Sequence, residues 1–225
     1  PSDAIEEARQ AGLIGMIAVG IDRVSNERTL ELSSRWPDYV MPALGLHPGD
    51  IGDRDQAGIE SELRFIEQNA GAACAVGEVG LDYHKRTLAS VSKERQRDIF
   101  RAVLEVARAQ EKPVLVHSRY AWTDALDLVL ESGVARAVFH WFTGFSSVLK
   151  GIMEAGFHIS ATPAVEYHEE HRRAVKAVSA ARLLLETDTP VWYGRAERYQ
   201  ARPMDVVRSL MGVAQLRGES AASVA

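Results

Sequence analysis

Cysteine is almost absent: the 225 residues hold one, Cys74, so no intrachain disulfide can form. A reducing, cytoplasmic setting suits such a chain. No apolar run approaches the roughly 18 residues that cross a bilayer, and no basic segment precedes a short apolar one at the start, so neither a membrane span nor a signal peptide is expected. Positive charge is not in excess either. The 26 Lys+Arg against 31 Asp+Glu leave a formal net charge of -5. With no global basic field, any contact with nucleic acid must come from a local patch. The two common glycine-rich phosphate loops, G-x-G-x-x-G and G-x-x-x-x-G-K-[ST], are both missing, which weighs against an open nucleotide-binding sheet. No H-x-H pair occurs: the histidines stand at 47, 84, 117, 140, 158, 168 and 171. What remains is ordinary for a folded protein, 46% hydrophobic and 25% charged residues, and excludes disorder and fibrous repeats.

Seven short apolar runs recur: 14–20, 40–46, 73–76, 113–116, 137–139, 157–160 and 183–185. Most are continuous rather than alternating, as strands read when both faces are buried in a parallel sheet. Helical stripes lie between them, at Ala4, Ile5, Ala8 and Ala11 behind a Ser2 cap, and at Ile99, Val103, Val106 and Ala107 within about residues 92–111. Others are Val148, Leu149, Ile152 and Met153 behind Ser146 or Ser147 and before Gly156; Ala174, Val175 and Val178; and Val206, Val207, Leu210, Met211 and Val213. Strand–helix alternation implies parallel strands with helical crossovers. No linker divides the chain, so residues 1–225 read as one domain of the (β/α)8, TIM-barrel type. Seven strands fall one short of a complete barrel. The chain opens on a helix, and its first residue is Pro1 rather than Met. The expectation is that the first strand is missing from this chain and that both ends are trimmed.

Barrel chemistry sits at the C-terminal ends of the strands. There the sequence reads His47-Pro48, Gly77-Glu78, His117-Ser118-Arg119, His140 and Glu186-Thr187-Asp188. Taken singly, each has a plainer reading. Polar residues are common where strands leave a core: His117 as a hydrogen-bonded core histidine, Glu78 as a loop cap, Asp188 as an Asx-turn residue before Thr189-Pro190. Together, Glu78, His117, His140 and Asp188 put four metal-ligand types on four strands, and a barrel aims them at one spot. Imidazole with carboxylate suits Zn²⁺, Mn²⁺, Fe²⁺ or Ni²⁺ better than an all-oxygen set would.

The segments Gly45-Leu-His-Pro48, Gly77-Glu-Val-Gly-Leu-Asp-Tyr83, Pro113-Val-Leu-Val-His-Ser-Arg119, His140-Trp-Phe-Thr-Gly144 and Glu186-Thr-Asp-Thr-Pro190 resemble, in order and over nearly the whole chain, the signature segments of the TatD family. These are metal-dependent, deoxyribonuclease-like hydrolases of the amidohydrolase superfamily. The resemblance implies two divalent ions (Zn, Mn or Mg) at the barrel mouth, with Glu78 bridging them, His117 and His140 on one, and Asp188 on the other. The family's remaining ligands come from an Asp-x-His-x-His segment on the first strand, which this sequence lacks, so at most one ion is expected to be well held by residues 1–225. It implies phosphodiester hydrolysis, with DNA or another phosphodiester as substrate. The ion activates a water, and Asp188 takes that water's proton. His47 and Arg119 are candidates for holding a phosphate. Two other readings stay open: a different amidohydrolase-type reaction on a small ester, amide or phosphoester, and a non-catalytic homologue that binds nucleic acid or a partner.

Several residues read as structural. Ser118 and His117 are strand neighbours on opposite faces, and no G-x-S-x-G elbow exists. Cys74 reads as a buried small hydrophobe. His84, His168 and His171 sit in polar segments and read as solvated, and His158 lies inside a strand. Trp141-Phe142 and Trp192-Tyr193 flank candidate ligands, either to stack on a base or to cover the barrel mouth. Arg172, Arg173, Lys176, Arg195 and Arg198 form a late basic set, either a solvated face or a phosphate contact.

Overall fold

In the computed structural model, strand and helix alternate as the apolar runs predict. Residues 2–52 and 54–225 are described, Ser2 by its backbone alone. The strands are β1 (Met16–Val19), β2 (Val40–Leu44), β3 (Ala75–Asp82), β4 (Val114–Arg119), β5 (Ala137–Phe139), β6 (His158–Ala161) and β7 (Leu183–Leu185), with a short antiparallel pair, β8 (Trp192–Tyr193) and β9 (Tyr199–Gln200). The helices are α1 (Ser2–Gln10), α2 (Arg23–Arg35), α3 (Gln56–Asn69), α4 (Lys85–Leu88), α5 (Lys93–Ala109), α6 (Trp122–Ser132), α7 (Ser146–Glu154), α8 (Glu169–Ala177), α9 (Val206–Arg217) and α10 (Ala221–Val224). The first seven strands keep chain order in one parallel sheet, β1 to β7. This is the α/β fold of TIM-barrel type, with seven of its strands among the described residues. No described helix is long and apolar enough to cross a membrane.

The chain divides into two compact units, a contiguous one, Gly15–Phe139, and a second made of Pro1–Ile14 with His140–Ala225. In the larger unit, Val76, Val79, Leu81, Val114, Val116 and Phe139 are buried on β3, β4 and β5. Their apolar stretches come first in each strand, which is why the runs read as continuous. Capping fixes the helix starts: Asp22 accepts from the Ser25 N–H at 2.8 Å while Ser25 Oγ takes the Asp22 N–H at 3.0 Å. In the second unit, Ala161, Val165, Val175 and Val213 form one apolar cluster, and Ala164, Tyr193 and Ala201 another.

Three expectations are adjusted. β3 and β4 run on past their apolar stretches to Asp82 and Arg119, so Glu78 and His117 lie inside strands rather than beyond their ends. Cross-strand hydrogen bonds carry polar residues there as readily as apolar ones. Helix α7 starts at Ser146 with Phe145 in the cap position, and Gly156 follows it with φ +76° as expected. β1 pairs with β2, and its Ile17 and Val19 stay 49% and 40% exposed. Full burial of either would contribute roughly 1.5–3 kcal/mol.

Candidate active site

The larger unit brings three expected residues together. Glu78 on β3 places Oε1 2.7 Å from His117 Nδ1 on β4 and 3.6 Å from His47 Nε2 just after β2. One ligand atom from each of the three lies within 4.8 Å of the others. Ligands about 2 Å from a shared divalent ion stand about 3.3 Å apart in a tetrahedron, so Glu78 and His117 need little movement to share one. Backbone proximity makes the cluster. A Cβ on Gly45 would sit 2.4–2.5 Å from the Gly77–Glu78 backbone, so only glycine lets β2 approach Glu78. Asn26 clamps that glycine from both sides, at 2.8 and 2.9 Å. Gly80, paired in register with His117, has φ +143°, and a Cβ there would fall 2.1 Å from the His117 carbonyl oxygen.

Behind His117 lies a residue to which the sequence reading gave no role. Asp82, 1% exposed, puts Oδ2 3.6 Å from His117 Nε2. Arg119 donates to it twice, from Nε at 3.1 Å and Nη2 at 2.6 Å, and the His84 N–H and Thr87 hydroxyl donate at 2.8 and 3.0 Å. Burial alone would raise the Asp82 pKa. The hydrogen bonds from His117 and Arg119 outweigh it and hold the carboxyl well below the usual carboxylate range. The His117 ring therefore has a carboxylate at each nitrogen. Nδ1 lies within hydrogen-bond distance of Glu78 and Nε2 faces Asp82; with an ion between Nδ1 and Glu78 the ring would take the disposition of a metal-ligating histidine backed by a carboxylate. A signal was there to read: Glu78 and Asp82, four apart on a strand, share a face.

The two phosphate candidates land differently. His47 accepts the Gly49 N–H on Nδ1 at 3.0 Å, which leaves the proton of the neutral ring on Nε2, facing Glu78. Arg119 is half exposed, and its fork is engaged by Asp82.

The second unit holds a parallel pair. Glu186, just after β7, puts Oε1 3.6 Å from His140 Nδ1. The Trp141 N–H donates to the same oxygen at 2.9 Å, and the Ser160 hydroxyl of β6 also donates to it. Burial pushes the Glu186 pKa up, but the charge and hydrogen bond of His140, with those donors, bring it below its ordinary value. Asp188, two residues on, has a left-handed backbone, φ +47°. Tyr193 is fully buried beside it and donates to the Thr187 carbonyl at 2.8 Å. Burial, then the Asp188 charge, raises the Tyr193 phenol far above its usual value, so it stays protonated and holds this loop.

Other readings change. His171 is fully buried, not solvated: its Nε2 accepts the Thr162 N–H at 3.2 Å and its Nδ1 lies 2.9 Å from the Phe142 carbonyl oxygen. Burial lowers its pKa to about 4. His168 caps α8 and His84 caps α4. Phe142 and Tyr193 are core, whereas Trp192 is exposed with Arg198 over its ring. Arg172 and Arg173 spend donors on the carbonyls of Val165 and Gly144, a structural use of part of the basic set. Cys74 is half-buried rather than buried, and burial raises its thiol pKa.

The family model of the TatD related DNases matches residues 1–225. The human deoxyribonuclease TATDN3 is 30% identical over 99% of this chain and 83% of its own length. The 3'-5' ssDNA/RNA exonuclease TatD of Edwardsiella piscicida is 33% identical over 83% of this chain and 72% of its own. Among solved structures, the TatD homologue YJJV of Escherichia coli k12 superposes with a TM-score of 0.87 at 26% identity, covering 99% of this chain and 86% of that one. The chain belongs to the TatD family of metal-dependent, DNase-related hydrolases.

Proposed function

We propose that residues 1–225 form one hydrolase domain that cleaves phosphodiester bonds in DNA with a divalent metal ion. Glu78, His117 and His140 are the proposed ligands of one ion, and Asp188 that of a second; Zn²⁺ or Mn²⁺ suits the nitrogen-rich set better than Mg²⁺. The observation that carries the reading is the His117 ring, with Nδ1 2.7 Å from Glu78 and Nε2 turned to the buried Asp82. A divalent ion bound there would activate water and offset charge on the phosphoryl oxygens. Asp82 orients the His117 ring, and Glu186 does the same for His140. Asp188 accepts the proton of the attacking water, and the His47 Nε2–H donates to a phosphate oxygen. The deoxyribonuclease and ssDNA/RNA exonuclease activities in the names of its relatives support nucleic acid as the substrate class. The single cysteine supports a reducing, cytoplasmic setting.

The test is turnover of a labelled single-stranded oligonucleotide with Mn²⁺, with Zn²⁺ and with chelator, beside a panel of small esters, amides and lactones. Metal-dependent cleavage of the oligonucleotide that is lost in Glu78→Gln is expected. Turnover confined to the small-molecule panel would replace this reading by another amidohydrolase-type reaction. Oligonucleotide binding without any turnover would make the chain a non-catalytic homologue.

A further inference from the structure

Tyr120 follows Arg119 at the end of β4, where its ring stands 60% exposed. Its backbone is left-handed, φ +59°, a conformation that costs a non-glycine residue roughly 1–2 kcal/mol. The surroundings hold that strain in place, and strain of this kind collects at sites of function. The ring lies against the imidazole of His84, centroids 6.0 Å apart and planes 21° from parallel. Trp122 meets it edge-on at 5.8 Å and 69°. Three rings from two chain segments thus form a ledge.

Both segments are tied to Asp82. The His84 N–H donates to Asp82 Oδ1 at 2.8 Å, and the Arg119 guanidinium grips both of its oxygens. The Tyr83 N–H donates to the Arg119 carbonyl at 2.8 Å, which locks one segment to the other. Asp82 in turn faces His117. The ledge is therefore fixed, through one carboxylate, to the histidine that Glu78 touches. Lys85, Arg86 and Arg119 are exposed beside it, a local cationic rim on a chain of net charge -5. An exposed aromatic ring next to cations fits planar bases strung on phosphates.

We propose that His84, Tyr120 and Trp122 form a stacking platform for a base of single-stranded DNA whose backbone runs past Lys85, Arg86 and Arg119; the proposal rests on the phosphodiesterase reading above. Bases in a duplex have both faces covered by their neighbours, so the platform favours single strands.

The experiment measures binding of a fluorescein-labelled oligothymidylate, and of the same backbone built from abasic residues, by fluorescence anisotropy in chelator. Wild type, Tyr120→Ala and Tyr120→Phe are compared, and circular dichroism checks their fold. Wild type and Tyr120→Phe should bind the oligothymidylate about tenfold tighter than the abasic strand, and Tyr120→Ala should lose that preference. With Mn²⁺ added, Tyr120→Ala should raise KM about tenfold and leave kcat nearly unchanged. An equal preference for bases in wild type and Tyr120→Ala overturns the platform, and leaves the hydrolase reading standing if wild type cleaves. A preference lost in Tyr120→Ala, with no cleavage of any strand by wild type, keeps the platform as a binding site and overturns the hydrolase reading. No binding of either strand by wild type overturns the platform.

Discussion

The two units each hold a histidine backed by a carboxylate, and they neutralise that carboxylate differently. In the larger unit Asp82 is 1% exposed and has a guanidinium fork on it. In the second unit the Glu186 side chain is 25% exposed and is held by a hydroxyl, a backbone N–H and His140 itself. A buried anion needs a cation or several donors. Arg119 and His117 both serve Asp82. Glu186 has neutral donors, so its nearest cation is whatever charge His140, or an ion bound by it, brings. Among the described residues, Asp82 has a guanidinium for a partner and Glu186 does not.

The largest effect that can sharpen this contrast comes from Glu78→Gln. It removes charge beside His117 Nδ1 while Asp82 still sets the ring, so metal-dependent turnover should fall by about a thousandfold with the thermal midpoint nearly unchanged. Turnover assays beside a thermal melt check it, and unchanged turnover would sink the role given to Glu78.

Asp82→Asn comes next. It removes the anion that orients His117 and partners Arg119, so metal affinity should drop about 10–100-fold and stability by about 1–3 kcal/mol. Titration calorimetry with Mn²⁺ and urea melts measure both. A variant as stable and as tight-binding as wild type would break the comparison.

Acid should tell the units apart. The folded pKa of His171, about 4, lies below its unfolded value near 6.5, so the unfolded chain takes up the proton first. Its contribution is complete above pH 6.5 and is lost as pH falls toward 4, amounting to about 2 kcal/mol by pH 5. Asp82, depressed below 3.8, keeps its contribution until pH falls below that value. Amide hydrogen exchange at pH 7 and pH 5, corrected for intrinsic rates, should show protection falling in α8 but not in β3 and β4. Equal loss in both would contradict the assignment.

Glu186→Gln should have the smallest effect. Glutamine keeps an acceptor oxygen for Ser160 and Trp141, so stability should change by less than about 1 kcal/mol while metal affinity weakens about tenfold. A stability loss as large as that of Asp82→Asn would erase the difference between the pairs.

Most of the architecture was legible because buried parallel strands write themselves as apolar runs, and all seven runs became strands. Of the residues that end such runs, His47, Glu78 and His117 do meet. Asp82 was missed because it lies beyond the apolar run of β3, although its strand parity with Glu78 pointed to the same face. His171 was misread because Glu169, Glu170, Arg172 and Arg173 surround it in sequence. Its spacing to Ala174, Val175 and Val178, at i+3, i+4 and i+7, already put it on the buried stripe. The Tyr120 ledge has no signal in one sequence, because it depends on how β4 and the segment after β3 end side by side.

The division of the chain also sets an order of assembly during synthesis. The larger unit is one continuous stretch, Gly15–Phe139, and is complete in synthesis before residues 140–225 are made. Helix α1 emerges earlier but belongs with the last-made segment, where Glu7 pairs with Arg202 at 2.7 Å. At about 5–20 residues per second, that amphipathic helix waits on the order of ten to forty seconds for its partner. In that interval its apolar side, Ile5 and Ala8, is free for a chaperone to hold.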